Sequence, residues 1–131
     1  MAWSLPSVWD GLSFSSGGGG GSGVGLTAQT LTYDSTSVTW DLSAGGCATL
    51  TLTGNVAGFA NPTEGVDGQL VVLEVIQGGS GSYVISSWGA DIEWAIGEPP
   101  VLSTAVGSKD AFYGHYNDGK LMLGLVARGL T

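Results

Sequence analysis

Leu50 and Leu52 alternate with Thr49, Thr51 and Thr53, and a Gly54-Asn55 break follows. Strict period-two alternation sets leucine on one face of a sheet and threonine on the other. Threonine suits the outer face, because its β-branch favours extended backbone and its hydroxyl tolerates water. The pattern predicts a half-buried antiparallel strand over Cys47–Thr53. Further strands are expected at Leu26–Tyr33, Val38–Leu42, Tyr83–Trp88, Ala90–Trp94, Ala111–Tyr116 and Leu121–Ala127. Gln69–Gln77 holds Leu70, Val71, Val72, Leu73, Val75 and Ile76, apolar at both parities. Such a strand is expected to be central, or to meet another subunit. Asn117-Asp118-Gly119-Lys120 predicts a tight hairpin, since both central residues of a type I′ turn need positive φ. No segment sustains a helical period. The expectation is a single all-β domain, an antiparallel β-sandwich or jelly roll, over residues 26–131.

The first 25 residues differ in kind. Ser13–Gly25 is rich in glycine and serine and includes five consecutive glycines, Gly17–Gly21, a composition of flexible tethers. Ahead of it lie Trp3, Leu5, Val8, Trp9, Leu12 and Phe14, with Pro6 and Gly11 opposing a regular helix. Apolar side chains on a tether form no core of their own and must find one elsewhere. Residues 1–25 therefore either fold back on their own body or form a docking arm that buries Trp3 and Trp9 in a neighbouring subunit; the docking arm is the expectation. Fully extended they span on the order of 80 Å, enough to reach a neighbouring molecule.

Charge narrows the partners. The formal net charge is -8, and charged residues make up only 11% of the chain against 43% apolar. The three basic residues, Lys109, Lys120 and Arg128, all follow nine of the eleven acids. Phosphate neutralisation needs clustered Lys and Arg, so neither nucleic acid nor an anionic membrane surface is an expected partner. The longest apolar runs are too short to span a bilayer, and no secretory leader is discernible. Few charges and 24 glycines suggest β-structure with many tight turns, or surface that other subunits cover. Leu70, Val72, Ile76, Trp88 and Trp94 are the candidate subunit-interface residues.

No chemistry assembles along the chain. His115, the single histidine, lies between Tyr113 and Tyr116 without a metal-binding companion. Cys47 has no local cation to lower its pKa and suits a small buried position. Asp91 and Glu93 fall on one face of one short strand, so they cannot flank a glycosidic bond from opposite sides. The acids at Asp34, Asp41, Glu64 and Asp67 lack the dense oxygen spacing of a Ca²⁺ loop. Gly17–Gly21 is followed by no Gly-Lys-Ser/Thr and is no phosphate loop. No catalytic residue, metal or cofactor is expected.

The body also resembles a module of tailed-bacteriophage virion proteins. The matching stretches are Ala48–Asn55, Asn61-Pro62, Val75-Ile76-Gln77, Gly81–Ile85 with Trp88 and Trp94, Pro100–Thr104, Asp110–Phe112 and Tyr116–Gly119. They cover roughly residues 30–129. The resemblance implies a compact trimeric β-sandwich without catalytic residues, at the exterior of a particle assembled in the bacterial cytoplasm. The chain lacks the shaft and coiled coil of long tail fibres. It therefore looks more like a capsid decoration (cement) protein that binds the major capsid protein or another virion protein. The alternative it implies is a tail-fibre, spike or baseplate component that binds a host glycan.

Overall fold

A computed structural model describes residues 26–131. The residues of the expected arm, Trp3 to Phe14, and its glycine tether lie outside the described residues. Six strands form one mixed sheet: β1 (Ala28–Leu31), β2 (Cys47–Leu52), β3 (Gln69–Gln77), β4 (Ile92–Trp94), β5 (Lys109–Asn117) and β6 (Lys120–Leu130). Their order across the sheet is β1-β2-β3-β5-β6-β4. There is no helix among the described residues. The all-β expectation holds.

The expectation of an antiparallel sheet is corrected. β2 runs parallel to both β1 and β3, and β4 runs parallel to β6; only β3–β5 and β5–β6 are antiparallel. Parallel neighbours need a crossover that returns the chain to the same end of the sheet. Here irregular extended segments make the crossovers. Val38–Leu42 follows β1, Val56–Thr63 follows β2 and Ile85–Trp88 follows β3. These segments lie side by side, joined by the parallel bridges Val38–Phe59, Asp41–Thr63, Val56–Ile85 and Phe59–Trp88. The strands expected at Val38–Leu42 and Tyr83–Trp88 are therefore bridged extended segments, not ladder-forming strands.

Alternation along the true strands survives the change of direction. Ala48, Leu50 and Leu52 are fully buried, whereas Thr49 is half-buried and Thr51 exposed. On β3 the inner face carries Val71, Leu73, Val75 and Gln77, all buried. These pack with Val38, Trp40, Leu42, Val56 and Phe59 from the crossover segments, and with Phe112, Leu121 and Leu123 from β5 and β6. β3 is central, as expected, but only one of its faces is fully buried. The expected hairpin is present: β5 and β6 are joined by Asp118 and Gly119, at φ 52° and 78°.

A crossover layer without its own ladder leaves carbonyls to satisfy, and three glutamines at the ends of strands do so. Gln29 Nε2 donates to the carbonyls of Asp41 and Gly45, at 2.8 and 2.7 Å. Gln69 Nε2 donates to Leu42 at 2.9 Å. Gln77 Nε2 donates to Tyr83 and Ser103, at 2.8 and 2.9 Å, while its Oε1 accepts the Tyr83 N–H at 3.0 Å. Trp40, fully buried, adds an Nε1–H bond to Gly45 at 2.9 Å. Buried backbone acceptors are thus paired although the layer is irregular.

Candidate docking surfaces

Two apolar surfaces stand out, on opposite sides of the sheet. The first is a groove of about 460 Å³ between the wall Val84–Ala90 and the wall Pro99–Leu102, with Ile92 and Trp94 at its base. Aromatic stacking builds its floor. Phe59 stacks on Trp88 at 4.9 Å, Trp88 meets Trp94 edge-on at 4.8 Å, and Trp94 meets the buried Phe112 at 5.6 Å. Chains of edge and offset contacts of this kind hold indoles rigidly. A second hollow of about 230 Å³ lies against Ala95, Ile96 and Leu123–Leu125 and shares Trp94 and Pro100 with the first. Val101 and Ile96, 77% and 76% exposed, line the two hollows.

Both walls are pinned to the sheet. The Val84 N–H donates to Asn55 Oδ1 at 3.0 Å. The opposite wall continues into Ser103, whose N–H and hydroxyl both donate to the buried Asp110 carboxylate at 2.7 Å. The Arg128 guanidinium donates to the Val101 carbonyl. Gln77 reaches both sides at once through Tyr83 and Ser103. The first wall also leaves one backbone edge unpaired among the described residues. Its bonds to Val56 and Phe59 use Val84 C=O, Ser86 N–H, Ser87 C=O and Gly89 N–H. The N–H and C=O groups of Ile85 and Trp88 point away from that pairing, without a partner among the described residues.

The second surface is the outer face of the sheet. The strand registers align Leu70, His115 and Met122 in one cross-strand row, and Cys47, Val72 and Tyr113 in the next. Leu70, Tyr113 and Met122 are 61%, 55% and 42% exposed, a concentration of large apolar side chains at the middle of a sheet. Exposed apolar side chains gathered on one face make it a candidate interaction surface. No described segment covers it.

The structure separates the five expected interface residues. Leu70, Val72 and Ile76 share the outer face, whereas Trp88 and Trp94 sit half-buried in the groove and pack on the core. Tyr113 and Met122, missed in the sequence, join the first group, because antiparallel registers place them beside β3. The groove's second wall was equally hidden, since Pro99-Pro100 signals only irregular backbone. Cys47 is a free, half-buried thiol on the outer face rather than a core residue.

The acids serve local structure. Asp91 precedes β4 and bridges to Lys120 at 3.0 Å, while Glu93 is exposed. That contact raises the Lys120 pKa above its ordinary value, chiefly by hydrogen bonding to Asp91 and then by its charge. Asp41 accepts from the Ser43 hydroxyl at 2.6 Å and the Ser43 N–H at 2.9 Å, which hold its carboxyl below the usual carboxylate value. Asp34 accepts from Thr36 N–H, and Asp67 from Asp118 N–H, both at 2.8 Å. Among the described residues, no three His, Cys, Asp or Glu side chains cluster as a metal site would need. Comparisons with protein-family models, curated proteins and solved structures find no match.

Proposed function

We propose that this chain is a non-enzymatic structural protein of a tailed-bacteriophage virion: an exterior capsid decoration protein, assembled in the host cytoplasm. Its body is a β-sandwich or jelly roll that associates as a homotrimer. Residues 1–25 dock on a neighbouring virion subunit, the major capsid protein or another structural component. The observation that supports this best is the outer face of the sheet, where Leu70, Val72, Tyr113 and Met122 present apolar area at its middle. The two-layered packing of sheet and crossover segments supports the sandwich reading. The family resemblance supplies the number three and the virion setting. Deleting residues 2–16 and mixing the product with undecorated capsids tests it: the body stays folded and particle binding collapses. Undiminished occupancy sinks the docking role.

A tail-fibre, spike or baseplate component that binds a host glycan is the second reading. Trp88 and Trp94 in a groove favour it, because indoles stack on sugar rings. A glycan array with the purified chain decides between the two.

A further inference from the structure

We infer that the paired hollows beside Trp94 receive the Trp3–Trp9 segment of a second copy of this chain. The inference rests on the proposed docking role of residues 1–25 and names the neighbour. Four observations carry it.

The first is chemical complementarity. No residue lining either hollow has a charged side chain, and none of the side chains of Met1–Trp9 is charged. An acidic or basic ligand would find no partner there. A sugar would find a floor whose Trp88 face is already covered by Phe59, and serine hydroxyls of which one, on Ser87, is bonded to the Ala57 carbonyl.

The second is number and spacing. Two adjoining hollows, separated by Trp94 and Pro100, match two tryptophans on the arm. Trp3, Leu5 and Trp9 share parity, so an extended segment presents all three on one side. The wall Val84–Ala90 and the segment Trp3–Trp9 have equal lengths of chain.

The third is the edge left unpaired among the described residues. The N–H and C=O groups of Ile85 and Trp88 are available to an added extended chain, the arrangement used in strand addition. Pro6 lies between the residues of odd parity. If these turn their main chain to the edge, its missing N–H faces solvent, where an edge strand tolerates proline.

The fourth is polarity. The arm joins the body just before β1, at one edge of the sheet, while the hollows lie by β4 at the other. With strands about 4.8 Å apart, these edges are separated by about 24 Å. Thirteen residues of Gly/Ser-rich composition can extend to about 45 Å, so reach alone permits a receptor on the same copy or on a second one, and the linkage experiment separates them. An arm that leaves at one edge and a receptor at the other suit head-to-tail exchange, which closes into a ring when the rotation permits.

The experiment co-expresses two full-length versions, both carrying Cys47→Ser. One adds Ser7→Cys on the arm and the other Ser86→Cys on the groove wall. A short bismaleimide is expected to yield a linked pair of doubled mass. Adding Trp3→Ala and Trp9→Ala, or Val101→Asp on the exposed rim, lowers that yield at least tenfold. Circular dichroism checks that Val101→Asp leaves the fold intact. Absence of the pair, or equal yield in the variants, overturns the inference. So does exclusively intrachain linkage when both cysteines are placed on one dilute chain. So does an oligosaccharide that quenches tryptophan fluorescence while no copies link. Capsid binding by the unsubstituted chain is scored separately. Binding without linkage rejects this receptor and leaves the decoration role standing.

Discussion

Gln77→Met tests how much stability one buried amide supplies by tying Tyr83 and Ser103 to the sheet. Methionine has nearly the same length and volume, so packing changes little and the amide is the difference. Three bonds disappear: those to the Tyr83 N–H, the Tyr83 carbonyl and the Ser103 carbonyl. Each stranded buried group costs about 1–3 kcal/mol, which sets an upper bound of about 9 kcal/mol. Tyr83 and Ser103 are themselves half-buried, so water repairs part of the loss. The expected destabilisation is therefore about 2–4 kcal/mol. With a urea m-value of about 1.5 kcal/mol/M, the midpoint falls by about 1.3–2.7 M. Equilibrium unfolding followed by tryptophan fluorescence at fixed protein concentration measures it. Gln77→Glu adds a sign test. Burial raises a carboxyl pKa, so this variant loses more stability at pH 7 than at pH 4, where the protonated acid again donates. A Gln77→Met midpoint within about 0.3 M of the parent at unchanged m refutes the reasoning.

Leu70→Asp, at a 61% exposed position, in a chain also lacking residues 2–16, should leave the circular dichroism spectrum unchanged while sedimentation shifts to the monomer; an unchanged oligomer rules out the outer face as the interface. Gly114→Ala should lose about 1–3 kcal/mol by thermal unfolding, because a Cβ there runs into the Met122 carbonyl oxygen. The Asp41 carboxyl, held low by Ser43, stabilises the fold above its unfolded pKa, and that contribution disappears as pH falls through the lower folded value. Acid titrations should therefore show a shallower loss of stability below about pH 4 for Asp41→Asn than for the parent.

Much of the sheet was legible because side-chain alternation survives any choice of neighbour. Leu50 and Leu52 are buried and Thr51 is exposed whether β2 runs parallel or antiparallel to its neighbours. The Asp118-Gly119 turn was legible for a different reason: positive φ is a local demand that few residues meet. Strand direction was hidden because it depends on crossovers, and an extended crossover such as Val38–Leu42 has the same alternation as a strand. Val38, Trp40 and Leu42 are indeed buried at period two, yet only bridges join them to their neighbours. The exposed apolar face was half legible. Apolar residues on both faces of β3 did signal an uncovered surface, but the separation of Leu70 from Trp88 lies in the topology, not in either side chain.

The crossover topology also bears on how the chain is made. Thr30 pairs with Thr49, Leu50 with Val75, Leu73 with Phe112 and Ile92 with Leu121, so four of the five strand pairings wait for distant residues. Among the described strands only the β5–β6 hairpin is local, and it is synthesised after the other four. Topologies dominated by distant pairing fold slowly, over milliseconds to seconds. The growing chain consequently carries β1, β2 and β3 into solution before β5 exists to complete the sheet, with valine- and leucine-rich edges bare throughout synthesis. Nine acids and no bases precede residue 109, so neighbouring nascent chains repel one another during that exposed interval.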